Sequence, residues 1–159
     1  MKASHFLRVF AAAALMLPAA AAFAQTGQPV ELKGDVKVDR IVSENGKSHH
    51  VYVAPEVVVP GDRLLFSTAY HNVGAVVVKD FVVTNPVPEG VMLAPEDSAR
   101  QVVSVDGGKS WGSLGALVVA DGNGGKRPAR TSDVTHVRWT LAALAPGAQG
   151  TLNYNAIVR

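Results

Sequence analysis

A chain of 159 residues without a single Cys is long enough to bury a hydrophobic core and cannot be held together by disulfides. The same absence excludes a lipid-anchoring cysteine and a cysteine nucleophile. Lys and Arg number 15 against 13 Asp and Glu, and the excess of two sits entirely at Lys2 and Arg8, so composition gives no warrant for a polyanionic partner.

Lys2 and Arg8 precede an apolar run over residues 9–17, Pro18 breaks it, and Ala22-Phe23-Ala24 supplies the A-x-A spacing. A positive start, an apolar middle and a small-residue end predict a cleavable secretory signal over residues 1–24, cut before Gln25. The run falls short of the ~20 strongly apolar residues of a bilayer span. No twin-arginine pair is present, which points to the general secretion route. Cleavage leaves residues 25–159 as one domain with 13 basic and 13 acidic side chains, expected in the periplasm or outside the cell, with no membrane span and no nucleic-acid partner. Residues 25–97 hold six basic and ten acidic side chains, and residues 98–159 hold seven and three. That asymmetry either orients self-association or pairs across one surface within the fold.

Val30, Leu32, Val36 and Val38 alternate with Glu31, Lys33, Asp35, Lys37 and Asp39, with Gly34 in the apolar register. This period of two predicts a strand with one wet face. Asn45-Gly46 supplies a hairpin turn. Val51, Val53, Val57 and Val59 then resume the alternation around Pro55, which marks an edge strand or a bulge. Pro60-Gly61-Asp62 is a tight turn. Leu64, Phe66, Thr68 and Tyr70 share one face of a strand ending at His71-Asn72-Val73-Gly74, and further strands are expected over residues 76–84, 91–93 and 100–105. The glycine-rich stretch 121–128 reads as a long exposed loop. Val137, Trp139 and Leu141 alternate, Pro146-Gly147 turns, and Leu152, Tyr154, Ala156 and Val158 form a last inward face. No segment has helical periodicity. The expectation is an all-β, antiparallel sandwich of about seven to nine strands, with a small closed barrel as the alternative.

Three stretches together resemble a bacterial surface-repeat family, domain of unknown function 11. They are Pro60-Gly61-Asp62-Arg63-Leu64-Leu65-Phe66, then Asn72-Val73-Gly74, then Val82-Val83-Thr84-Asn85-Pro86-Val87-Pro88-Glu89-Gly90-Val91. Leu144-Ala145-Pro146-Gly147-Ala148 and the strand after it are similar to the family's closing signature, while Asn85 stands where many members carry Asp. The resemblance implies an immunoglobulin-like sandwich, here in a single copy. It also implies a spacer, adhesive or interaction role in exported proteins.

Ser104-Val105-Asp106-Gly107-Gly108-Lys109-Ser110-Trp111 fits the S-x-D-x-G-x-x-W pattern of an Asp-box. There the carboxylate takes backbone N–H groups, glycine tolerates positive φ and the indole packs underneath. It reads as a hairpin clamp, not a catalytic centre. Asp121, Asn123 and Gly124 imitate part of a calcium loop, but the distal bidentate Glu is missing at that spacing, so a turn is expected. His49 and His50 would point to opposite faces of a strand and cannot chelate one ion together. His71 or His136 could join one of them only if the fold converges. Lys126, Arg127 and Arg130 read as a solvated basic cluster, with an anionic glycan or lipid as the alternative. G-x-S-x-G and H-E-x-x-H are both missing.

Catalytic, cofactor and metal sites are therefore not expected. The chain reads as a non-enzymatic exported structural or interaction module of the cell envelope, whose partner is protein, either itself or an envelope component. The alternative is a carbohydrate- or metal-binding accessory module in the periplasm, using the 121–128 loop or the histidines.

Overall fold

The computed structural model describes residues 29–159, so the expected signal segment lies outside the described residues. Among these residues the strands are β1 (Val30–Glu44), β2 (Lys47–Val53), β3 (Arg63–Asn72), β4 (Val78–Pro86), β5 (Val91–Leu93), β6 (Val102–Ser104), β7 (Val118–Ala120), β8 (Lys126–Pro128), β9 (His136–Leu144) and β10 (Gln149–Val158). One helical turn, α1 (Pro95–Ser98), lies between β5 and β6. The fold is all-β. A five-stranded sheet runs β2-β1-β3-β10-β5, a three-stranded sheet runs β4-β9-β6, and β7 and β8 form a separate hairpin. Every pairing is antiparallel.

Alternation decides which face each strand buries. Val38, Leu64, Tyr154 and Ala156 of the five-stranded sheet meet Val103 and Val137 of the three-stranded sheet in one hydrophobic core. Val87, Val91, Leu93 and Val134 complete it. Tyr154 is 1% exposed; its ring stacks on Phe66 with centroids 4.8 Å apart, and its hydroxyl donates to the Pro86 carbonyl at 3.0 Å. Burial pushes that phenol above its usual range, because the phenolate would lose its water.

Asn72, fully buried at the end of β3, joins three parts of the chain. Its side-chain amide donates to the Leu144 carbonyl at 2.8 Å and the Val76 carbonyl at 3.0 Å, and its Oδ1 accepts the Gly74 N–H at 3.0 Å. Its backbone N–H donates to Ala148, and its carbonyl accepts from Gly147. The β3–β4 connection and the end of β9 thus converge on the side chain of one residue, whose backbone holds the β9–β10 turn. Gly74 is required beside it, since a Cβ there would lie 2.9 Å from the Pro29 Cβ.

Several boundaries depart from the sequence expectation. β2 ends at Val53 and does not continue to Val59: Pro55 offers no N–H for a ladder, and Val57 is 74% exposed. The 121–128 stretch is not one long loop, because Lys126–Pro128 pairs with Val118–Ala120. The strand expected over 76–84 runs from Val78 to Pro86, and that expected over 100–105 narrows to Val102–Ser104. In β9 both Val137 and Leu144 are buried, an odd separation that breaks the period of two. The break lies opposite Asp80, whose φ of 49° is left-handed, a conformation Asp tolerates better than most residues. The single turn of α1 is too short to produce a periodic signal.

Candidate functional site

The Asp-box residues form a closed polar knot over the three-stranded sheet. Asp106 Oδ1 accepts the Ser110 N–H at 2.9 Å, the Lys109 N–H at 3.0 Å and the Ser104 hydroxyl at 2.7 Å, while Oδ2 takes the Ser110 hydroxyl at 2.6 Å. These donors, led by the Ser110 hydroxyl, hold the carboxyl well below the usual carboxylate range. Gly107 and Gly108 have φ of 77° and 87°, which lets the chain reverse so that Trp111 Nε1 donates to the Gly108 carbonyl at 2.9 Å. The indole then lies under the Arg138 guanidinium, 3.5 Å from the ring centroid, and edge-on to His136. Each oxygen of Asp106 is engaged inside the hairpin, so the arrangement clamps a turn onto β9.

The other singled-out residues separate. Asp121 Oδ1 accepts the N–H groups of Asn123 and Gly125 at 2.8 and 2.9 Å, turning its oxygen inward to the loop. Of the basic cluster Lys126, Arg127 and Arg130, Lys126 and Arg130 are exposed, while Arg127 makes a forked pair with Asp133 at 2.6 and 2.8 Å. That pair holds Asp133 below its ordinary value and Arg127 above its own. His49 lies opposite Val42 and His50 opposite Ile41 in the hairpin, on alternate faces, and His50 pairs with Asp39 at 2.7 Å. His71 sits in β3 and His136 in β9. Among the described residues no three His, Asp or Glu side chains stand together as a metal site.

Two surfaces were not marked in advance. On the face of the five-stranded sheet opposite Tyr154, a hollow of about 580 Å³ is bordered by Tyr52, Leu65, Arg100, Gln101 and Asn153. Beneath it the buried Asp97 accepts from the Asn155 side chain and from Arg100, both at 2.9 Å. The second surface is an edge. β3 pairs with residues 30–39 of β1, whereas β2 pairs only with residues 38–44. Residues 30–37 therefore have a strand on one side only, among the described residues. Beyond Val53 the chain does not continue along this edge; Ala54, Glu56 and Val57 gather about Arg40, whose guanidinium donates to Asp62 at 2.7 Å. The signal for this half-open strand is present in the sequence, as a 15-residue β1 followed by a partner that Pro55 cuts short.

No family model, no curated protein and no solved structure matches the chain.

Proposed function

We propose that this chain is an exported, non-enzymatic interaction module of the bacterial cell envelope, an immunoglobulin-like sandwich akin to a single copy of the domain of unknown function 11 repeat, that binds protein through its sheet edges. The observation that carries the reading is β1. Among the described residues it has eight successive positions with one side unpaired and Leu32 on it 49% exposed, which is the form a sheet takes when it accepts another strand. The signal pattern at residues 1–24 supports export. Expressing the full-length gene with fractionation and N-terminal sequencing tests the compartment. A product beginning at Gln25 in the periplasm or medium is expected, and a cytoplasmic product that keeps Met1 overturns the reading.

The hollow beside Tyr52 favours one second reading, a glycan-binding module. A half-exposed aromatic ring next to the Asn153 and Gln101 amides and Arg100 is the mixture of flat apolar surface and hydrogen-bonding groups that sugars need. A thermal-shift screen against soluble oligosaccharides tests it. Stabilisation abolished by Tyr52→Ala is the expected result, and no shift with any sugar removes it.

A further inference from the structure

We infer that the open side of β1 is a homodimer seam, in which a second copy of the chain lays its own residues 31–37 antiparallel against it with Gly34 on the two-fold axis. This rests on the interaction-module reading and names its partner. A closed two-fold contact requires a surface that complements itself, and the order of charges along β1 does so. With Gly34 opposite Gly34, Glu31 faces Lys37 of the second copy and Lys33 faces its Asp35. Symmetry repeats both, giving four opposite-sign pairs on the wet face. On the other face Leu32 lies opposite Val36 of the second copy.

Neighbouring registers fail. Sliding the second copy by two residues puts Lys33 against Lys33 and Glu31 against Asp35, or in the other direction Asp35 against Asp35 and Lys33 against Lys37, and like charges directly opposite are destabilising. A slide by one residue sets Leu32 and Val36 against charges. A slide by four recovers opposite signs but loses about half the ladder. The favoured ladder ends at Val38, whose second side Val53 already holds.

Two further observations fit. Residues 30–37 have no proline to block pairing, and their charges alternate in sign, so against a second copy they attract where a run of one sign would repel. Gly34 has open space where a Cβ would stand, and a strand-interior glycine suits a place where another backbone approaches closely. Within one copy, the only ion pair along this run among the described residues joins Lys37 and Asp35 at 3.8 Å, with both side chains about half exposed, so little is given up when they turn to a partner. The contact is small, and the dimer is expected to be weak and to loosen as salt rises.

The chain lacks cysteine, so single cysteines report the register cleanly. Cross-strand Cα atoms about 4.5–5.5 Å apart fall inside the disulfide range. The exported product of the full-length gene is used throughout. Gly34→Cys is expected to form a covalent dimer on mild oxidation, Lys33→Cys and Asp35→Cys copies to cross-link to each other when mixed, and Val57→Cys, on the exposed loop, to stay monomeric. In sedimentation, Lys33→Glu should weaken dimerisation at least tenfold, and the swap Lys33→Glu with Asp35→Lys should restore it, a rescue that a merely destabilised fold would not give. A strict monomer at low salt and high concentration, cross-linking at Val57→Cys as efficient as at Gly34→Cys, or no effect of Lys33→Glu overturns the seam. Export of a strict monomer overturns the seam and leaves the module reading standing, whereas retention in the cytoplasm overturns the module reading itself.

Discussion

Replacing Asn72 by Ala removes a side chain that no solvent reaches and that makes three hydrogen bonds. The Leu144 carbonyl is left in a buried position without its partner, while the Val76 carbonyl and the Gly74 N–H are part-buried and within reach of water. An unsatisfied buried acceptor costs about 1–3 kcal/mol, and each of the other two bonds contributes roughly 0.5–1.5 kcal/mol net. The expected loss is about 2–6 kcal/mol, a large share of the ~5–15 kcal/mol that holds a domain folded. For a domain of this size, roughly 3 kcal/mol corresponds to a fall in melting temperature of about 10 °C.

Asn72→Asp separates hydrogen bonding from packing, because it keeps the volume and removes only the donors. Its carboxylate would face the Leu144 and Val76 carbonyls, which favours the protonated form and raises its folded-state pKa. The part of the penalty that comes from ionisation is therefore absent below the unfolded value of about 3.9 and grows as pH rises towards the folded value, while the loss of one of the two amide donors remains at every pH. Urea unfolding followed through Trp111 and Trp139 fluorescence measures both variants. If Asn72→Asp at neutral pH comes within about 0.5 kcal/mol of the parent, the size of an ordinary surface change, the role assigned to the amide is wrong.

Tyr154→Phe keeps the stack on Phe66 and loses only the bond to the Pro86 carbonyl, for an expected cost of about 0.5–1.5 kcal/mol in the same urea assay. A neutral or stabilising outcome would mean the hydroxyl adds nothing to the joint it spans. Gly74→Ala drives a Cβ against Pro29 and Asn72 and should cost about 1–3 kcal/mol as overpacking, seen as a lowered urea midpoint with unchanged slope. Asp106 has a depressed folded-state pKa, so its stabilisation is fully present above the unfolded value of about 3.9 and is lost only as pH falls through the folded one. The near-ultraviolet dichroism of Trp111 should accordingly stay constant from neutral pH down to about pH 4, and a midpoint above that would contradict the knot of donors around the carboxylate.

Many of the strand positions were readable because exposure and burial alternate at the period the backbone imposes. Leu64, Phe66, Thr68 and Tyr70, expected to share one strand face, alternate along β3, with Leu64 and Thr68 buried, and Asn45 and Gly46 both have positive φ, as a two-residue hairpin turn demands. What was not readable depended on single residues acting at a distance. Asp80 shifts the alternation of β4 and β9 through one left-handed φ, and no local pattern announces it. Lys126–Pro128 pairs with Val118–Ala120 although glycine dominates between them, since the Asp121 side chain, not apolar packing, organises that turn.

The surfaces followed a different logic. Residues notable by type (Asp106, Arg127 and His50) found their partners inside the fold, because a polar group held by its neighbours is an ordinary way to stabilise a turn or hairpin. The edge of β1 had no unusual residue to mark it. Its openness follows from strand lengths: β1 spans fifteen residues and β2 seven, and Pro55 prevents β2 from following β1 further. The alternating charges of residues 31–37 first served only to say which face is wet. Once the other side of that strand is known to be unpaired, the same order of signs becomes a register code that can accept a copy of itself. A strand is thus most informative where its hydrogen bonds run out, and there the test is a charge swap at Lys33 and Asp35, not the removal of any one side chain.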